Sequence, residues 1–424
     1  MKKTKTEKTQ PNRKQITVLR QVCELIPTHL VAKLARDCGV EQKVRTFSAW
    51  SHVVAMVYAQ ISHALSLNDV CDALKLRATC WLRIRGATAP AKNTLSHANK
   101  ERDCLLAEKL FWEMLTHLRS NFAGFAHRCR GKGKLGWRFR RAINVVDSTT
   151  IQLIASCMSW AKHRRRKAAA KCHLRLNLQS FLPSFAIVSA ANEHDITRAR
   201  ELCAGLREGE IALFDKAYID FLHLWDLGQR GVFWVTLAKD NLAYRVKKRL
   251  PKSSDPKILK DELIVLKGEK VHRDHPGVLR RVTALIEVEK EERVLVFLTN
   301  NTLWAASSVC DLYGCRWSIE TFFKELKQTV QLVDFLGHSA NAVKWQIWTA
   351  LLVHLLLRFL AWKSRWAHNF SRLVTYLRAA LWLERDLDHL LQRCGTAKGD
   401  FRCLGAPEQA WLIGFSRDPV GQPT

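Results

Sequence analysis

From Ala142 onward the hydrophobic period of this chain changes, and strand-like apolar runs begin to alternate with helical ones. Ile143 to Val146 reads as a short apolar strand ending at Asp147, and Ser184 to Ala190 as a second strand. Ile196 to Leu206 then reads as a helix, and Ile211 to Phe214 as an apolar strand ending at Asp215. A helix over Ile219 to Gln229 and a β-rich stretch over Val232 to Leu237 follow. Such alternation predicts an α/β core. Between about residues 245 and 300 it breaks. Leu263 to Leu266, Leu279 to Val288 and Val294 to Leu298 read as antiparallel strands of a β-rich insertion, placed before the next long helix.

The remainder reads as helical. Residues 1–16 form a basic tail expected to be mobile, and residues 17–125 an all-α DNA-binding region. There, Val53, Val54, Val57, Tyr58 and Ile61 recur as one apolar stripe, and Leu67, Val70, Cys71 and Leu74 as another. Ser66 is placed to cap the second helix, its hydroxyl accepting an orphan amide. Asn93 or Thr94 is expected to cap a basic helix carrying His97, Lys100 and Arg102. Two short helices followed by a basic one suggest a helix-turn-helix-like DNA reader, with an ordinary helical bundle as the alternative. Ile347 to Leu360 is the longest apolar run, broken by His354 and Arg358. Its length falls short of a bilayer span, so it reads as a buried helix. Residues 341–424 are expected to be helices that complete the core and offer a dimer face.

Charge narrows the partner. Lys plus Arg number 68 against 39 Asp plus Glu, a formal net charge of +29. That surplus exceeds what solubility needs and points to a polyanion, nucleic acid ahead of a membrane surface. Thirteen cysteines without a CxxC pair suggest reduced thiols in a cytosolic protein, and no apolar signal segment follows the basic N-terminus. Gly131, Gly133 and Gly136 match GxGxxG, but arginines flank them where a strand and a helix are required; a cationic loop fits better than a dinucleotide site.

The residues suited to chemistry are acidic and basic together. Asp147 and Asp215 stand at strand carboxyl ends, where open α/β sheets build their sites. On a regular helix, Tyr313, Arg316, Glu320 and Lys327 fall within an arc of about 60°. Ile319, Phe322, Phe323, Leu326 and Val330 cluster on a separate apolar arc. A solvated face with an Arg316–Glu320 ion pair is the simpler reading of that helix. Three carboxylates from two strand ends and a helix instead suit Mg²⁺, and a pair of such ions serves phosphodiester chemistry. Arg316 and Lys327 would hold phosphates, and Tyr313 would hydrogen-bond a phosphate or stack on a base. Arg164, Arg165, Arg166 and Lys171, between the first strands, are candidates to track a DNA backbone, with a solvated charge run as the alternative. His173 and His194 read as structural histidines.

Those residues carry a resemblance. Tyr313-x2-Arg316-x3-Glu320-x6-Lys327 is similar in every interval to the YREK signature of the IS-four family of bacterial insertion-sequence transposases. Val-Val-Asp147-Ser-Thr looks like that family's first catalytic aspartate segment. Phe214-Asp215-Lys-Ala-Tyr218 resembles its second, with Ala217 standing where glycine is usual. Lys171-Cys-His173, Leu182 to Phe185, His194-Asp195 and Phe47 to Trp50 with Ser66-Leu67 resemble the same group, so the likeness spans about residues 20 to 350. It implies a ribonuclease-H-like core, at residues 142–244 and 301–340, with a β-rich insertion at 245–300. It also implies DDE chemistry with two Mg²⁺ ions, Mn²⁺ being a substitute, held by Asp147, Asp215 and Glu320. Tyr313, Arg316 and Lys327 would contact transposon-end DNA, including a flipped base if a hairpin forms. A homodimer on double-stranded DNA and a place in the bacterial cytoplasm, by the nucleoid and not in a membrane, follow by the same resemblance.

The expected function is therefore a transposase that binds terminal inverted repeats, hydrolyses a strand and transfers its 3′ end in a cut-and-paste cycle. A non-catalytic DNA-binding protein derived from a transposase is the alternative. A hydrolase with paired carboxylates, acting on a neutral substrate, is disfavoured by the positive charge around Glu320.

Overall fold

The computed structural model describes residues 16–40, 46–125, 139, 141–153, 157–164, 167–191, 195–251, 253–288, 291–330, 332 and 334–395. Residues 1–15 of the basic tail, the three glycines of the GxGxxG match, Arg165, Arg166 and His194 lie outside them. The chain divides into two compact units.

One unit, residues 118–328 with short additions, is a mixed α/β body built on a single ten-stranded sheet. Its strands are β1 (Ile143–Leu153), β2 (Lys162–Arg164), β3 (Lys167–Asn177), β4 (Leu182–Ala190) and β5 (Ile211–Phe214). They continue with β6 (Phe233–Leu237), β7 (Tyr244–Arg249), β8 (Ile258–Leu266), β9 (Leu279–Val288) and β10 (Glu291–Thr299). The order is β2-β3-β1-β5-β6-β10-β9-β8-β7, with β4 also pairing β3. β1, β5 and β6 are parallel; helix Asp195–Cys203 leads into β5, and helix Phe221–Gln229 joins β5 to β6. The strands of the expected insertion do not stand apart: β10 pairs antiparallel with β6 and carries β9, β8 and β7 outward.

β1 departs from expectation. It does not stop at Asp147 but runs on through Ser-Thr-Thr-Ile-Gln to Leu153, antiparallel to β3 from Asn144↔Asn177 to Leu153↔Ala168. The β-branched Thr149, Thr150 and Ile151 suit a pleated ladder, and β3 supplies partners over that whole length. Ala199, Leu202, Phe214, Leu224, Leu227 and Trp234 are buried in the core between the sheet and its helices. Arg175, also buried, ties Ser184 of β4 to the carbonyl of Leu202, at 2.9 and 2.8 Å. In the outer strands Arg280 and Asp261 form a buried two-pronged pair at 2.8 and 2.6 Å.

The second unit, residues 1–117, 329–337 and 341–402, is helical where described. Helix Ala49–Ser62 is not the striped amphipathic helix that the spacing suggests, for nearly every residue in it is buried. Helix Ala340–Lys363 has the length and apolarity to cross a membrane, yet 94% of its apolar window is buried within the fold. A helix that is apolar all round needs neighbours on every side. The C-terminal helices fall in the same unit as the N-terminal ones: Arg378 donates to the carbonyl of Ile61 at 2.9 Å, and Leu19 to that of Leu381 at 2.9 Å. Ser66 caps Leu67–Leu76 in a capping box with Asp69. Helix Lys92–Glu101 starts two or three residues earlier than expected, after Ala91, with no side-chain cap.

Candidate active site

Parallel pairing brings the two aspartates together. Val146 of β1 is the register partner of Phe214 of β5, so Asp147 and Asp215 are the next residues on adjacent strands, which run about 4.8 Å apart. Asp147 is a mid-strand residue whose Oδ1 accepts the amide of Ser148 at 2.7 Å. Asp215 lies just past β5 and caps a 3₁₀ turn, Lys216–Tyr218, by accepting the amide of Ala217 at 3.1 Å. Positive φ among the described non-glycine residues is confined to His63, Arg85, Phe181 and Arg365. The turn after Asp215 thus makes no demand for glycine, and alanine fits there.

The third carboxylate arrives on a segment that is not one regular helix. It runs as α-helix over Ala306–Gly314, 3₁₀ turn over Cys315–Trp317, α-helix over Ser318–Lys324 and π-helix over Glu325–Thr329. The uniform 100° spacing behind the expected arc therefore fails beyond Tyr313. A π turn in such a place commonly marks a functional segment. What gathers the side chains is charge. Arg316, only 6% exposed, donates through Nη1 to Asp147 Oδ2 and through Nη2 to Glu320 Oε1, both at 2.9 Å.

Burial pushes the Asp147 carboxyl up to about 6, and the nearby Asp215 and Glu320 add to the rise; Arg316 and the Ser148 amide oppose it. Tyr313 is buried against Phe297, ring centroids 5.4 Å apart, with the Arg316 guanidinium 5.7 Å above its ring. Burial pushes the Tyr313 phenol up to about 12. Lys327 Nζ donates to the carbonyl of Thr150 in β1 at 2.7 Å, and burial pulls its ammonium below its ordinary value. A cleft of about 690 Å³ is lined by Asp147, Glu320, Lys327, Lys324, Trp317 and Ser148 among others.

The other basic candidates are scattered. Arg164 ends the short β2. Lys171 is on β3, largely buried and paired with Asp195 at 3.0 Å. Lys100 is exposed near the end of its helix in the helical unit, 3.6 Å from Glu101. Sequence reasoning passed over Trp317 and Lys324, which line the cleft, though both flank the signature residues. It also passed over Asp195 as more than part of a resemblance.

Among the described residues, no three His, Cys, Asp or Glu side chains form a ready-made metal cage. The donor set nevertheless suits a hard divalent cation. Asp147, Asp215 and Glu320 offer carboxylate oxygens, and a cationic group, the Arg316 guanidinium, already bridges two of the three side chains.

A family model described as transposase DDE domain matches residues 138–356, just over half of the chain and the part that carries all three carboxylates. The chain belongs to the transposase DDE domain family. A second model, a domain of unknown function (DUF4372), matches residues 14–79. The transposase homologue y4zB of Sinorhizobium fredii is 28% identical over 58% of this chain and 69% of its own length. The probable transposase for insertion sequence element IS5377 of Geobacillus stearothermophilus is 25% identical over 58% of this chain and 63% of its own length. Transposase InsG for insertion sequence element IS4 of Escherichia coli is 26% identical over 44% of this chain and 42% of its own length. The transposase expectation thus holds: the chain is a DDE-type DNA transposase of the insertion-sequence kind, related to that of IS4.

Proposed function

We propose that this transposase cuts at the terminal inverted repeats of an insertion sequence and joins the freed 3′ ends to target DNA, with Asp147, Asp215 and Glu320 as the acidic centre of a ribonuclease-H-like core. The observation that carries this reading is the Arg316 bridge, which joins the carboxylate of the distant helix to that of β1 beside the parallel partner strand of Asp215. Asp147, raised to about 6 chiefly by burial and further by Asp215 and Glu320, is short of positive charge.

Asp147, Asp215 and Glu320 would hold the divalent cations, two Mg²⁺ or, in substitution, Mn²⁺. Such cations supply stabilisation of the charge that builds at phosphorus and activation of the attacking oxygen. Arg316 keeps Asp147 and Glu320 together in the free protein, and its guanidinium, planar and always charged, is suited to turn to a phosphate of the scissile strand. Lys327, set on the backbone of β1, adds a second cation at the cleft. Tyr313 supports Arg316 from beneath, and contact of its phenol with end DNA or a flipped base requires movement of the segment around it.

Arg164, Arg165, Arg166 and Lys100 are proposed to follow the DNA backbone outside the cleft. Residues 17–125 are proposed as the DNA-reading region and residues 245–300 as the insertion of the catalytic core. Two transposon ends held together call for a homodimer on double-stranded DNA, in the bacterial cytoplasm at the nucleoid.

The deciding experiment is strand cleavage of an inverted-repeat duplex with Mg²⁺, comparing the natural chain with Asp147→Ala, Asp215→Ala and Glu320→Gln. Loss of cleavage in all three, with end binding kept, supports the reading. Nicking that survives any one of them removes that residue from the centre. Salt-sensitive binding by the natural chain, with no Mg²⁺-dependent cleavage, makes it a non-catalytic DNA-binding protein.

A further inference from the structure

Three donor groups from three parts of the catalytic unit converge on a single oxygen, with a histidine nitrogen nearby. Asp195 Oδ1 accepts from Ser148 Oγ at 2.6 Å and from the Tyr218 phenol at 3.3 Å; Lys171 Nζ lies at 3.0 Å and His173 Nδ1 at 3.5 Å. His173 is fully buried, Lys171 nearly so, and the Asp195 side chain is 20% exposed. Asp195 opens the helix Asp195–Cys203.

The origin of the donors gives the cluster its meaning. Ser148 follows Asp147 on β1, and its amide is the one that Asp147 Oδ1 accepts. Asp195 thus grips β1 at the residue next to Asp147. Ser148 pairs in register with His173, and Thr150 with Lys171, which sets both β3 donors beside the same carboxylate. Tyr218 closes the 3₁₀ turn that Asp215 caps. One carboxylate therefore ties the segment bearing Asp147 to the segment bearing Asp215. A buried Lys171 needs a counter-charge in any case; placing it at this junction also fixes two strands.

We infer that Asp195 is a positioning residue for strand cleavage, a brace that fixes Asp147 and Asp215 relative to one another through Ser148 and Tyr218. Lys171 belongs to this brace and not to the DNA contact surface. The inference rests on the proposed roles of Asp147 and Asp215.

The test uses full-length protein carrying Ser148→Ala, Tyr218→Phe or Asp195→Asn. Single-turnover cleavage at saturating inverted-repeat DNA is measured beside end-binding affinity, thermal midpoint and calorimetric Ca²⁺ affinity. Supporting groups of this kind alter metal affinity or activity by about 10- to 100-fold. Ser148→Ala, which deletes one hydroxyl, is expected to slow cleavage at saturation by about 10-fold and weaken Ca²⁺ binding, with end binding and melting little changed. Adding it to Asp195→Asn is expected to do little more, because the two act through one hydrogen bond. Cleavage and Ca²⁺ affinity within two-fold of the natural chain for both Ser148→Ala and Tyr218→Phe would overturn the brace while leaving the acidic centre intact. Failure of the centre itself shows separately, as cleavage that survives Asp147→Ala.

Discussion

Arg316 Nη1 lies 2.9 Å from Asp147 Oδ2, although 169 positions separate the two in the chain, and both side chains are largely withdrawn from water. Removing one partner of such a pair strands the other as a buried charge, whereas an exposed ion pair is worth little.

Arg316→Ala is therefore expected to destabilise the catalytic unit by about 3 kcal/mol, read as a lower urea midpoint at neutral pH. Arg316→Lys keeps the charge but cannot span both carboxylates with one planar fork. It should recover part of the stability and little of the cleavage. Equal urea midpoints for Arg316→Ala and the natural chain would show that the bridge does not form in solution.

Asp147 carries a pH signature. Its folded value, about 6, stands above the ordinary 3.8, so the folded protein binds the extra proton between those values. Its contribution to stability is full below about pH 4 and is lost as pH rises through 6. The difference in urea midpoint between the natural chain and Asp147→Asn should shift against the natural chain over that window and level off above it. Mg²⁺ at millimolar concentration should flatten the curve, since a bound cation favours the charged carboxylate. A difference that is flat from pH 4 to 7 without Mg²⁺ contradicts the raised value.

Lys327 gives a salt-dependent effect. Lys327→Ala removes the bond to the Thr150 carbonyl and a cation from the cleft. End binding should weaken at low salt, and the slope of log affinity against log salt should fall by about one. An unchanged slope would mean that Lys327 serves the fold and not the DNA.

In the helical unit, Ser66→Ala breaks the capping box with Asp69 and should cost about 1 kcal/mol, measured by thermal unfolding. Asn93→Ala serves as its control. Asn93 lies inside helix Lys92–Glu101, which has no side-chain cap, and its replacement should leave the melting point nearly unmoved. Equal losses for the two variants would contradict both cap assignments.

Local pattern determined much of this molecule from the chain alone. The apolar runs at 211–214 and 279–288 became strands with those bounds, Ser66 capped its helix, and the run at 347–360 was buried. Each is fixed by neighbours within a few residues, where period and capping chemistry act. The spacing of Tyr313, Arg316, Glu320 and Lys327 also drew notice to a segment that lines the cleft with Asp147, but not to its shape, since 3₁₀ and π turns replace the regular helix. Tertiary structure decided the rest. β1 extends past Asp147 because β3 lies beside it, the helices Ala49–Ser62 and Ala340–Lys363 are buried nearly all round by residues far away in the chain, and Arg316 and Asp195 find partners on β1. Such contacts depend on which strands pair and in what register, a long-range choice that no short window of sequence contains.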